Sequence, residues 1–447
     1  MQEEKRDVNI VRNAGLLDRF HITRHYLSYD SCVTVTAKYS SSDHHLDKTI
    51  LFPALHRVVE AHAALGVRLV GDSTNHPIFR RLQSVDLTKA VHYSHQDGSC
   101  LQQVLEEIFM HSFDTNTELP LWRLTVLVDN TVVFSWHHAI GDGMSGLAFH
   151  RALRAALDAD NSIYMNSETV DIPSKISLVP AIESIISMRP SISQFCHAIF
   201  DLFAPVSWTR GNSAWTGNFV RESTLRTEVR LLEFSPEENT KFIACCRKHK
   251  ATLTPALHTL AVSALSELLL ASTSHKPSKC WKRVSTAIPV SLRPVTHTSP
   301  DVMCNLISFY PSYPTLTSKF SWATASTLTS ALQSSRTKVA GEVGLLKFIF
   351  GQYERFFKDK IGKKRETGLQ ISNVGRFDST HAETEKWHIE RMFFAQCDAV
   401  TGAAIKLNVC GNPSGGLAIA VTWSSDAVEN ALVEAFISKF KQMLQDV

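Results

Sequence analysis

Between residues 158 and 217 the chain breaks its own rhythm. Pro173, Pro180, Pro190 and Pro205 punctuate a polar stretch whose one apolar pattern is a short helix over residues 192–203. Each proline removes a backbone donor and fixes φ, so neither a continuous helix nor a central strand runs through. On both sides of this stretch, period-2 and period-3.6 apolar patterns alternate. At 447 residues the chain is also long for a single hydrophobic core. The sequence therefore predicts two halves, residues 1–170 and 218–447, joined by a crossover over residues 171–217. Strands mixed with helices in each half place the fold in the α/β class, as mixed α+β sheets with helices packed on them. No repeat with a period of about 20–50 residues is present, which excludes a solenoid or propeller.

The patterns within each half are specific. Residues 47–65 read as an amphipathic helix stopped by Gly66, and Ser99 opens another, with Gln102 completing a capping box. Two strand patterns, residues 121–128 and 132–138, are joined by the hairpin signal Asp129-Asn130-Thr131, and residues 144–157 are helical again. The second half restarts with a period-2 strand at residues 225–231. A helix follows, opened by Ser235-Pro236-Glu237-Glu238. Further strands are expected near residues 284–290, 369–373, 387–396, 403–410 and 417–423. Asp426 with Glu429 is expected to cap a final helix ending about Leu444.

Charge and cysteine usage narrow the function classes. Lys plus Arg (46) nearly balances Asp plus Glu (43), so no strong field for nucleic acid exists. Nine cysteines without C-x-x-C spacing read as reduced, mostly buried thiols in a reducing compartment. The first residues, Met1 to Asp7, hold no apolar run and so no secretory signal. The most apolar stretch, Leu253–Ala271, carries His258 and Glu267 and reads as a buried helix, not a transmembrane segment. The expected location is cytoplasmic.

The sharpest local feature is Trp136-His137-His138-Ala139-Ile140-Gly141-Asp142-Gly143, where an apolar strand gives way to a helix. Strand alternation puts Val132, Phe134, Trp136 and His138 on one face and turns His137 to the other. An imidazole at a strand end suits a general base near neutral pH, and the glycines beside it let backbone approach a substrate. Asp142, four residues on, could hold the loop by pairing with a cation. Pattern alone leaves a second reading open, in which two buried histidines satisfy backbone groups. Gly141 to Gly146 also spells G-x-G-x-x-G, but the strand before it ends in histidines and no second parallel strand follows its helix. No metal-ligand spacing, P-loop or G-x-S-x-G elbow is present.

These residues resemble the HHxxxDG signature shared by chloramphenicol acetyltransferase, BAHD acyltransferases and peptide-synthetase condensation domains. Nearly the whole chain is similar to the fungal alcohol acetyltransferase branch of that superfamily. The likeness runs through Leu16-Leu17-Asp18-Arg19-Phe20, Pro120-Leu121-Trp122-Arg123-Leu124 and Trp215-Thr216-Gly217. It continues through Ile288-Pro289-Val290-Ser291-Leu292-Arg293-Pro294, Cys304-Asn305 and Ile371-Ser372-Asn373-Val374-Gly375. The resemblance implies two pseudo-symmetric chloramphenicol acetyltransferase-like domains with the active-site channel between them. Acyl thioester and acceptor would enter from opposite faces and meet at His138, the catalytic base, in a motif completed by Asp142 and Gly143. It further implies that Asp142 pairs with Arg293 and that Asn305 is mainly architectural. Ser372 and Asn373 would approach the reacting atoms, as candidate donors to a tetrahedral oxyanion. The DFGWG motif of the plant enzymes is missing, replaced after Gly375 by Arg376-Phe377-Asp378. The donor carrier, free coenzyme A or an acyl carrier protein, therefore stays open. The basic run Arg355, Lys358, Lys360, Lys363, Lys364 and Arg365 reads as a solvated helix end, with phosphate contact as its alternative.

The expected function is transfer of an acetyl or other short to medium acyl group from a thioester to a hydroxyl of a small alcohol or secondary metabolite. No cofactor beyond the acyl-CoA or acyl-carrier-protein co-substrate is implied, no nucleic acid or metal, and a monomer is expected. No nucleophilic side chain is called for, so both substrates would meet in a ternary complex. Amide formation, as in condensation domains, and a silent binding subunit are the competing readings.

Overall fold

The computed structural model describes residues 9–203, 211–273, 281–378 and 386–447. The N-terminal residues Met1 to Asp7, Pro205 and Cys280 lie outside them. Two mixed sheets carry the molecule.

The first sheet is built on β1 (Val33–Ser40), β2 (Val91–Tyr93), β3 (Trp122–Val126) and β4 (Thr131–Trp136). β4 is buried along its whole length because both its faces are covered. Val132, Phe134 and Trp136 join the core beneath helix α1 (Gly143–Asp158), whereas Val133 packs in a separate cluster on the other side. Helix α1 sits close enough that a Cβ on Gly146 would stand 2.3 Å from Val35 Cγ2, and the Phe149 ring stacks on Phe134 at 3.8 Å. The helix before β1, which supplies the roof of the site, spans Leu16–Tyr26.

The second sheet contains β5 (Glu228–Phe234), β6 (Thr286–Ser291), β7 (Ile307–Ser312) and β8 (Leu369–Arg376), with β10 (Ile405–Gly411) and β11 (Leu417–Trp423). Its order is β5-β11-β10-β8-β6-β7, parallel only at β10-β8 and β8-β6. Helix α2 (Leu253–Thr273) packs among its core residues. It is the one helix among the described residues long and apolar enough to cross a membrane, and 72% of its apolar window is buried inside the fold.

One strand departs from the expected division. β9 (His388–Gln396) follows β8 in sequence but pairs with β1, so the first sheet reads β9-β1-β4-β3-β2. The antiparallel register runs from His388↔Ser40 to Gln396↔Val33. Ile389, Met392, Phe393, Phe394 and Ala395 are buried there. Burying both faces of β9 also covers the free edge of β1, which would otherwise offer unpaired backbone groups. At the other boundary, Thr169–Asp171 pairs with Ser84–Asp86 of the first half.

Two caps also differ. The helix over Leu101–Phe109 is led in by Asp97, whose carboxylate accepts the Ser99 amide at 2.8 Å and the Ser99 hydroxyl; Ser99 is thus a donor to the cap, not the cap itself. The last helix, Asn430–Gln445, starts after Glu429 without a side-chain cap, while the Asp426 amide bonds Ser424. The capping box at Ser235 and Glu238 forms as the sequence reads. The period-2 strand begins three residues later than its sequence pattern, at Glu228. The eight described cysteines form no disulfide, and five of them are buried.

Candidate active site

β4 ends at Trp136, one residue before the histidine pair. The chain then turns: His137 N–H donates to Leu121 O at 2.9 Å, Ile140 N–H to His137 O at 3.1 Å, and the Trp136 indole to Gly141 O at 2.8 Å. Strand alternation therefore does not reach the two imidazoles, and the expected opposite orientation is corrected. Both rings pack against the helix Leu16–Tyr26, one turn apart. His138 stacks on His21 with centroids 3.7 Å apart and planes 15° from parallel, and His137 lies 4.3 Å from His25.

The two histidines differ in what surrounds them. His137 is 1% exposed, its Nδ1 accepts the Ala139 amide at 3.0 Å, and its Nε2 has no partner. His138 is only partly buried and opens on a cavity of about 80 Å³. Asn305 Nδ2 donates to the His138 carbonyl at 2.9 Å and lies 3.5 Å from its Nδ1. The ring also donates to its own backbone carbonyl, the group Asn305 holds, which keeps the proton on Nδ1 and leaves the Nε2 lone pair for a ligand. Burial lowers the His138 pKa, while Asp30 and the ring's own backbone hydrogen bond oppose the shift. The ring therefore stays a neutral imidazole through physiological pH.

Asp142 is the N-cap of α1 and a pin between the two halves. Its carboxylate accepts from the Ser145 amide at 3.2 Å, from the Leu306 amide at 3.1 Å and from Arg293 Nη1. Arg293 Nη2 in turn donates to the carbonyls of Val302 and Cys304. Gly143 lies in the cavity wall, where a Cβ would stand 2.5 Å from Val374 Cγ1; only glycine keeps this junction closed.

The segment over β8 divides. Ser372 and Gln370 line the His138 cavity, but Asn373 points the other way. Its side-chain Nδ2 donates to Thr254 Oγ1 at 3.0 Å and its Oδ1 accepts the Gly375 N–H at 2.8 Å, so it braces α2 and the strand end. Alternation along β8 allows one of the two neighbours to face the site, and it is the serine.

Several residues of the site carry no motif. His21, Arg24, Asp30, Cys397 and Lys406 all line the same cavity. Asp30 lies 3.3 Å from Arg24 and accepts the Cys397 thiol at 2.8 Å, and Lys406 Nζ holds the Cys397 carbonyl at 2.6 Å. The one available signal was the His21-x-x-x-His25 spacing, which puts two imidazoles on one helix face. Cys32 and Cys397 form part of the cavity wall. Burial pushes Cys32 up to about 11, and raises Cys397 further with the Asp30 charge beside it, so both are thiols. Among the described residues no three His, Cys, Asp or Glu side chains gather as a metal site requires.

The small cavity adjoins a wide one of about 590 Å³, sharing Arg24, Phe309, Gln370 and Gly402 with it. The basic run splits at this wall. Lys360, Lys364 and Arg365 line the wide cavity. Arg355 and Lys358 are exposed and pair with Asp359 and Glu354 on their own helix turn, and Lys363 is exposed. Lys360 meets Glu366 at 2.7 Å, Lys364 holds the Asn212 carbonyl at 3.0 Å, and Arg365 holds those of Val400 and Gly402.

The family model for alcohol acetyltransferase matches residues 13–445. The chain is similar to a probable alcohol acetyltransferase, crmB, of Aspergillus fumigatus, at 26% identity over 94% of this chain and 96% of that one. In three dimensions it is similar to the trichothecene 15-O-acetyltransferase TRI3 of Fusarium sporotrichioides. The TM-score is 0.70 at 11% identity, covering 97% of this chain and 94% of the other. It is also similar to the first condensation domain of the CDA synthetase, with TM-score 0.60, 14% identity and coverage of 97% and 95%. At those identities the structural likeness carries the two-lobed fold alone.

Proposed function

Since the chain belongs to the alcohol acetyltransferase family and is an acyltransferase, we propose that it moves an acetyl or other short to medium acyl group from a coenzyme A or carrier-protein thioester to an alcohol, with His138 as the base. One observation carries this reading. A neutral imidazole, its Nδ1–H turned to its own carbonyl, which Asn305 also holds, faces a narrow cavity that opens into one large enough for an organic ligand.

The chemistry follows from the residues in place. His138 Nε2 takes the proton from the acceptor hydroxyl as its oxygen forms a bond to the thioester carbonyl carbon. When the carbon–sulfur bond breaks, the departing thiolate takes that proton back from the imidazolium. The Asp30 charge favours the imidazolium between those two moments. Ser372, the hydroxyl on the second-sheet side of the cavity, is placed to donate to the oxygen that carries charge. Lys360 and Lys364 make the wide cavity the more favourable side for the anionic end of the donor. The polar wall at His138 suits a hydroxyl as well as an amine; the family description favours the hydroxyl.

The test is thiol release from acyl-CoAs of increasing length with a panel of alcohols, for the native protein and His138→Gln. Alcohol-dependent release, reduced about 10²–10⁴-fold by the substitution, is expected. Equal release by both proteins, or none with any pair, refutes the assignment.

A further inference from the structure

His21 is out of place as a packing residue. It is 2% exposed, and neither Nδ1 nor Nε2 has a hydrogen-bond partner. An imidazole always carries at least one N–H, and leaving such a group buried and unpaired is costly, whereas an apolar ring of the same shape would not be. Each neighbouring buried ring has at least one nitrogen bonded; His137 accepts the Ala139 amide on Nδ1 and leaves Nε2 alone unpaired. His25 Nε2 accepts the Phe113 amide at 3.0 Å, and His150 is bonded at both nitrogens, to Tyr39 Oη at 2.8 Å and Val35 O at 3.0 Å. His21 alone among these lines the His138 cavity, with its ring parallel to that of the base at 3.7 Å.

Resting on the acyl-transfer reading above, we propose that His21 is a second catalytic imidazole, whose ring N–H hydrogen-bonds the thioester carbonyl oxygen as the acceptor adds to the carbon. Two stacked imidazoles present their edges about one ring spacing apart. Two oxygens on one carbon lie closer than that, so modestly bent hydrogen bonds let both be reached at once: the incoming hydroxyl oxygen on His138 and the carbonyl oxygen on His21. Ser372 reaches the same space from the second sheet, so the developing charge is held from both halves of the molecule. His21 keeps its proton throughout. The carbonyl oxygen gains the electron pair when the oxygen–carbon bond forms and returns it when the carbon–sulfur bond breaks. Burial, with the His138 and Arg24 charges next in weight, keeps His21 well below the usual imidazole pKa, so it acts as a neutral donor.

His21→Phe keeps the stacked ring and removes both nitrogens, and His21→Gln restores an N–H without the ring. In steady-state assays His21→Phe should lower kcat about 10²–10³-fold with little change in KM. His21→Gln should recover at least about tenfold of that loss. A second readout avoids turnover. With His138→Ala as background, the infrared carbonyl stretch of bound carbonyl-¹³C acetyl-CoA should fall below its value in water. The shift should persist with His21→Gln and shrink with His21→Phe to what Ser372 alone supplies. A kcat for His21→Phe within about threefold of native, or a carbonyl frequency indifferent to His21, overturns the role of His21 while leaving the acyl-transfer reading standing. Failure of every variant and the native protein to bind any acyl thioester by calorimetry overturns both.

Discussion

Asp142 and Arg293, 151 positions apart in the chain, meet as an ion pair with side chains 1% and 3% exposed. Their contact joins the first turn of α1 to the segment around Cys304, so the loop carrying His138 is fixed by the opposite half of the molecule. Removing either partner alone leaves a charge in the interior, at a cost of about 3–5 kcal/mol. Asp142→Ala and Arg293→Ala should each lower the denaturation midpoint, and the double variant should lose less than the sum of the two. Additive losses in the cycle would show that the pair is not coupled.

The histidine pair should separate chemistry from stability. His138→Ala should fold normally and lose about 10²–10⁴-fold in turnover. His137→Ala empties a sealed position against His25 and should cost about 2–4 kcal/mol, with the smaller effect on kcat. Equal losses of turnover in equally stable proteins would refute the division. Both rings face the same helix, and exposure and hydrogen bonding set them apart.

The acid limb of the rate profile reports the surroundings of the base. Burial holds His138 below the ordinary imidazole value, against the opposing pull of Asp30, so activity should persist to lower pH than a free imidazole would allow. Asp30→Asn removes the charge that favours imidazolium, while Arg24 remains. The limb should move to still lower pH and the plateau should fall. A limb that stays put, or moves up, excludes Asp30 as the electrostatic partner.

Stability should depend on pH through rings remote from the site. His150 and His258 are both held down to about 4 by burial, whereas an unfolded chain protonates imidazole near 6.5. Below that value the unfolded state binds protons that the folded state refuses. Stability is therefore fully present at neutral pH and declines as pH falls through the window from about 6.5 to about 4. Between pH 7 and 5.5 each ring should cost about 1 kcal/mol, visible in urea midpoints, and His150→Gln should flatten the slope. Midpoints constant over that range contradict the linkage.

Two thiols in the wall of the site make the route of transfer a sharper question than the sequence suggested. Both are held protonated, and Cys397 spends its proton on Asp30. Direct attack in a ternary complex is expected: intersecting initial-rate lines, and an unchanged protein mass after incubation with donor alone. Parallel lines with a dischargeable acyl adduct would identify a covalent route through Cys32 or Cys397.

The site was legible where function is written in contiguous residues. Asp142 and Arg293 stand inside contiguous motifs, and the expected pairing forms. His21 and Asp30 were not legible, because their helix and following turn reach the base only through the packing of the Leu16–Tyr26 helix over β4's end. Ser372 and Asn373 could not be separated before the face of β8 was known. The strand pattern of residues 388–396 was readable, but burial on both faces says nothing about which sheet receives the strand.

That last strand limits how the molecule can be taken apart. A cut within residues 171–217 leaves one fragment missing the edge of its sheet and another carrying β9 with no sheet to join. The halves are therefore not interchangeable modules. A chimera with a relative needs the segment between β8 and β10 to travel with the N-terminal half, and complementation by separately made fragments must thread β9 back beside β1.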